Sequence, residues 1–313
     1  MQGAWGILLA LPLLIHGQDK FPFRMPTIAP KAENYVCTSI DVTKETSIVG
    51  FAPLNENRNA HHILLFGCDQ PGSDEEVWDC GEMEKGEGEE RAPPCLSTPT
   101  ILYAWAKDAP PLHLPEDVGF RVGPAVGRGS IVMQVHYMHD GEKDTTGVEL
   151  ETTDRDDLHQ ASTMLMVTGG FLPAGARESF ESACLITAET VIHPFAFRTH
   201  THRHGTDVAA WRVRERDGDD QWTLIGRRDP QLPQMFVPVN DSSLTLTQGD
   251  VIAARCVMKN NEDHEIEMGS TAEDEMCNMY IMYWSEGEQL ADNTCYSPGA
   301  PFYHLKGLNH IPK

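Results

Sequence analysis

Two short segments carry side chains whose types and spacing suit metal and anion chemistry. In Phe197-Arg198-Thr199-His200-Thr201-His202, strand alternation sends Arg198, His200 and His202 to one face and Phe197, Thr199 and Thr201 to the other. That face would hold two imidazole ligands beside an anion receptor. Far downstream, Met276, Asn278 and Tyr280 alternate with Cys277, Met279 and Ile281, setting a thioether next to two hydrogen-bonding groups. Two imidazoles and a thioether form an N, N, S set, and the thioether is soft enough to select Cu(I) over zinc or calcium. Arg198 offers a guanidinium fork that can grip a substrate carboxylate bidentately. Taken singly, a methionine such as Met276 is far more often a core residue, and Arg198 could be a simple surface charge; the polar face beside Met276 is what favours chemistry there.

A second cluster begins at adjacent His61 and His62, which a regular strand would point to opposite faces. They can share one metal only where the backbone bulges; otherwise one is packed and the other exposed. Gln134-Val135-His136-Tyr137 places Gln134 and His136 on a common face and offers a third imidazole. Three neutral imidazoles suit copper, zinc or iron. His139, His193 and His204 lie near these motifs and are read as packed or surface residues.

The positioning elements read as short apolar runs separated by Gly, Pro, Asn and Asp: Ser47 to Ala52, His61 to Phe66, Ile131 to Tyr137, Met164 to Thr168, Thr190 to Phe197 and Val251 to Val257. Asp217 and Gly218 predict a hairpin turn between Trp211–Arg216 and Gln221–Ile225. Few windows show helical periodicity. The pattern predicts an all-β protein of two antiparallel, jelly-roll-like β-sandwiches packed across a cleft. With 313 residues, two domains of about 150 residues are the natural division. The chain turns polar between His139 and Asp157, so the expected domains are 18–150 and 151–313. The first would carry the His/His/His site and the second the His/His/Met site.

Forty-seven acidic against 24 basic residues give a formal charge of -23, which argues against nucleic acid and anionic membrane surfaces. The Asp74 to Glu90 stretch reads as a solvated acidic loop. Gly6 to Ile15 is an apolar run too short to span a bilayer, consistent with a signal peptide over 1–17. Eight cysteines in such a chain predict disulfides, and spacing alone leaves their pairing open. Asn240-Asp241-Ser242 is a glycosylation sequon in a turn-like stretch.

These residues, with Leu64-Leu65-Phe66-Gly67-Cys68, Ile101-Leu102-Tyr103-Ala104-Trp105-Ala106 and Asp274-Glu275-Met276-Cys277-Asn278, resemble the peptidylglycine α-hydroxylating monooxygenases over essentially everything after the leader. The resemblance implies one copper at His61, His62 and His136 that transfers electrons. It implies a second at His200, His202 and Met276, where O2 and substrate react, with ascorbate as reductant. Arg198, Asn278 and Tyr280 would hold the peptide's terminal carboxylate, with Tyr35 and Gln134 near the active cleft. The implied bridges are Cys37–Cys80, Cys68–Cys95, Cys184–Cys295 and Cys256–Cys277.

By the same resemblance the substrates are glycine-extended peptides, and a separate lyase would act on the hydroxyglycine product. A monomer without a membrane span, secreted or in the secretory-granule lumen, is expected. The rival readings are a related copper monooxygenase acting on a phenethylamine such as tyramine or dopamine, and a secreted copper-binding protein without turnover. An arginine in the pocket would repel an amine.

Overall fold

The computed structural model describes residues 18–56, 58–81, 91–106, 109–269, 274–300 and 302–313. The expected leader at 1–17 and the 82–90 part of the acidic loop lie outside the described residues. Strands dominate, as the alternating runs predicted. Among the described residues the only helical pieces are two short 3-10 turns.

Five strands make one antiparallel sheet, in the order Trp78–Asp79, Asn34–Asp41, Ser130–Tyr137, Ala60–Cys68, Thr100–Ala106. A larger sheet runs Asp19–Arg24, Gly147–Thr153, Thr46–Leu54, Val118–Val122, His159–Thr168, Cys277–Ser285, Ile192–His200, Val237–Pro238. It crosses from the first half of the chain to the second at a short parallel contact, His159 with Val118 and Gln160 with Gly119. A four-stranded sheet of Arg177–Leu185, Val251–Lys259, Gly205–Arg216 and Asp219–Arg228 covers the second half. Its last two strands form the expected hairpin, with Asp217 and Gly218 at φ 55° and 85°. Both residue types tolerate this left-handed conformation.

Two principal cores result. In the first half, Phe51 of the large sheet stacks on Tyr103 of the five-stranded sheet, ring centroids 4.6 Å apart. In the second, Met279, Ile281 and Tyr283 pack with Val208, Ile225 and Ile252. The Cys277–Ser285 strand serves both: its other face, Tyr280 and Met282, joins the first core together with Leu165 and Ala196. A strand covered on both faces reads as a near-continuous apolar run, and this one does. Residue 150 falls inside Gly147–Thr153, whose pairing with the first half continues through Thr153, so the chain passes between the halves at the polar stretch 154–158, most of it exposed and the rest partly buried. Four disulfides join Cys37 to Cys80, Cys68 to Cys95, Cys184 to Cys295 and Cys256 to Cys277. The last sits beside Met276 and ties the start of its strand to the neighbouring sheet.

Candidate active site

The first cluster is built from three neighbouring strands. Tyr35, His136 and His62 lie opposite one another across the Asn34–Asp41, Ser130–Tyr137 and Ala60–Cys68 strands. Between Ala60 and His62 the register slips by one residue, making His61 the extra residue of a bulge. The bulge lets two sequence neighbours face one point, so the ligand atoms of His61, His62 and His136 all lie within 4.8 Å of one another. His61 Nδ1 and His136 Nδ1 are 3.4 Å apart, while His136 Nε2 faces the Glu33 carboxylate at 3.3 Å. Glu33 therefore directs the Nδ1 lone pair of His136 inward. Tyr35 stacks on the same ring at 4.1 Å with planes 7° apart. Burial, then the neighbouring His136 and His61, push the His62 imidazole well below its usual pKa. Burial also lowers His136, against the opposing pull of Glu33. Neutral rings are the form that binds metal.

The second cluster forms where the Ile192–His200 and Cys277–Ser285 strands pair, Arg198 opposite Tyr280 and His200 opposite Asn278. The strand expected to run through His202 ends at His200. His202 nonetheless reaches the same place, its ring centroid 5.4 Å from that of His200. His200 Nδ1 faces the side-chain oxygen of Gln234, whose amide nitrogen donates to the Thr201 and Pro230 carbonyls at 2.8 and 3.0 Å. With its NH2 so engaged, Gln234 presents oxygen to His200, and that nitrogen carries the proton. His202 Nδ1 likewise donates to the Asp274 carbonyl at 2.7 Å. Both rings thus keep Nε2 free and able to bind a metal, whereas His136 keeps Nδ1. Burial, then Arg198 and His202, push the His200 pKa well below its usual value. Met276 Sδ lies 3.6 Å from Asn278 Nδ2, and the Met276 and His202 N–H groups donate to the same oxygen of Glu275.

Arg198 is 3 % exposed, and burial lowers its pKa. Its Nε donates to the Gln234 carbonyl at 3.1 Å, and its guanidinium sits 5.1 Å from the Tyr280 ring centroid. No carboxylate pairs with it among the described residues, so a desolvated cation is left to receive an anion. Buried Asn278 has an unpartnered Oδ1 nearby.

Both clusters line one cavity of about 520 Å³, together with Tyr35, Arg198, Met138 and the 230–234 loop. Gln134 shares the His136 face but is fully buried, donating to the Gly81 carbonyl at 2.8 Å, and does not line the cavity. Met276, Asn278 and Tyr280 are not among its lining residues; Asn278 and Tyr280 pair across the strands with His200 and Arg198, and Met276 Sδ lies near the Asn278 amide. Of the other histidines, His204 faces the Lys259 carbonyl and His193 stacks on Trp284 at 3.7 Å, so neither joins a cluster. Sequence reasoning missed Gln234, Glu33 and the role of Glu275. Gln234 and Glu33 lie far in sequence from the rings they orient, and Glu275 from the His202 and His204 backbone N–H groups it accepts, so no local pattern marks them.

Family models for the copper type II ascorbate-dependent monooxygenases match residues 21–144 (N-terminal domain) and 159–307 (C-terminal domain). The chain is 38% identical to the Xenopus laevis peptidyl-glycine alpha-amidating monooxygenase A over 96% of its own length and 32% of that protein. It is also 38% identical to the Rattus norvegicus peptidylglycine alpha-amidating monooxygenase, covering 89% of the chain and 28% of that protein. Human dopamine beta-hydroxylase is 25% identical over 82% of the chain and 44% of its own length. The chain spans about a third of the length of the amidating relatives it matches. With one model on each half and identities of this size, it belongs to the copper type II ascorbate-dependent monooxygenase family.

Proposed function

We propose that this chain uses copper, ascorbate and O2 to hydroxylate the α-carbon of the C-terminal glycine of peptides, the first step of C-terminal amidation. The observation that carries this is Arg198: a buried guanidinium with no carboxylate partner among the described residues, two residues before His200 on the same strand and in the cavity that the two histidine clusters share. Such a site selects a substrate with a terminal carboxylate and repels an amine.

The residues divide the work. Arg198 grips the terminal carboxylate, with Asn278 and Tyr280 beside it to hold its oxygens or the adjoining amide. That anchor sets the adjacent α-carbon next to His200 and His202, a proximity effect that needs no general base. His200, His202 and Met276 form one copper site, and His61, His62 and His136 the other. Burial favours the neutral ring at His62, His136 and His200, and hydrogen bonds already engage one ring nitrogen of His136, His200 and His202, so little reorganisation precedes metal binding. Copper, when bound, supplies the one-electron and dioxygen chemistry. In the balanced reaction one oxygen atom enters the C–H bond and the other leaves as water, ascorbate providing the electrons. Tyr35 buttresses His136, and Gln134 acts behind the cluster through the Gly81 carbonyl. The two halves correspond to two domains divided at the 154–158 connection. A secreted or granule location, a separate lyase and a monomeric state complete the proposal.

The test is a glycine-extended peptide incubated with the copper-loaded protein, ascorbate and O2. Mass spectrometry should find one added oxygen on the terminal glycine. Turnover of tyramine without turnover of the peptide would move the assignment to the amine hydroxylases. Copper binding with no turnover of either would leave a metal-binding protein.

A further inference from the structure

Cross-strand pairing in the second cluster stops at His200 with Asn278. His202 and Met276 lie beyond that last rung, where the ladder no longer fixes their separation. A single carboxylate does so instead. Glu275 is fully buried, and among the described residues no cation pairs with it. Its Oε1 accepts the N–H groups of His202 and of Met276, the latter at 3.0 Å, and its Oε2 accepts that of His204 at 2.6 Å. Glu275 is itself anchored: its N–H donates to the Glu267 carbonyl at 2.9 Å, and its carbonyl accepts from Gly269 N–H at 3.0 Å.

We infer that Glu275 is a positioning residue that sets the separation of the His202 imidazole and the Met276 thioether, and so whether both reach one soft metal ion. The inference rests on the ligand roles proposed above. A carboxylate accepts at both oxygens; a glutamine offers one acceptor and turns the other position into a donor facing an N–H. Glu275→Gln therefore breaks either the shared His202–Met276 contact or the one to His204, at nearly constant volume.

The experiment is X-ray absorption at the copper edge on the full chain loaded with Cu(I), with copper affinity measured for each of the two ions. Wild-type protein should show a sulfur component that Met276→Ile lacks, which tests the ligand role without reference to Glu275. Glu275→Gln should weaken the sulfur component and lower affinity for one copper by about tenfold or more, the usual loss when a group that orients a ligand is changed. The other copper should bind as in wild type, which a general loss of structure would not allow. A wild-type sulfur component and affinity in Glu275→Gln would overturn the inference while leaving the metal site standing. No sulfur component in wild type would overturn both. Should the Gln variant fail to fold, Glu275→Asp, one methylene shorter, is read by the same signal, and an undiminished sulfur component there is equally fatal.

Discussion

In the proposed reaction Arg198 binds the substrate and Met276 serves the metal at which it reacts, and kinetics should separate the two roles. Arg198→Ala removes a desolvated ionic anchor worth about 3 kcal/mol, so KM for the peptide should rise roughly a hundredfold. Arg198→Lys keeps the charge but loses the fork and should fall between the two. An unchanged KM in the Ala variant would remove the anchor role. Met276→Ile exchanges a thioether for a hydrocarbon of similar bulk, so thermal stability should hold while hydroxylation falls to near background; wild-type turnover would refute the ligand assignment. At this scale the sequence was informative wherever a residue sits inside a regular strand. Alternation correctly set Arg198 beside His200 and Asn278 beside Tyr280, because both pairs lie on the same ladder. It was silent on Gln234 and Glu33, whose hydrogen bonds decide which imidazole nitrogen is free.

The His61 bulge is the element that turns two neighbouring histidines into a pair, and it needs support at its ends. Asp144 provides it. This fully buried carboxylate accepts from the Tyr137 hydroxyl at 2.7 Å, the Thr146 N–H at 2.8 Å and the Asn59 amide at 3.2 Å. It thus joins the residue after His136 to the turn before His61. Asp144→Ala should cost about 3 kcal/mol by leaving those buried donors unpaired, read as a lower denaturant midpoint with an unchanged slope. It should also weaken copper binding at the three-histidine cluster more than at the other; equal loss at both would show only general destabilisation. The adjacent histidines made the need for a bulge legible in the sequence. The carboxylate that holds it was not, since Asp144 stands in a polar stretch that reads as a surface connection.

At the scale of the molecule, the sequence suggested two sandwiches, and the strand content bears out the all-β class. What it could not convey is that one sheet runs through both halves, because the joining contact is only two residue pairs long. In the 154–158 connection Asp154, Asp156 and Asp157 are exposed and Arg155 is partly exposed, so brief trypsin treatment should nick it there. The two fragments should still elute together in native gel filtration, held by the sheet and the shared core; separation without denaturant would contradict the joint packing. The Cys277–Ser285 strand has a further effect. Its alternate side chains belong to different cores, so neither core can come apart without exposing the other's wall. In calorimetry the chain should give a single endotherm whose van't Hoff and measured enthalpies agree, the mark of one cooperative unit melting whole.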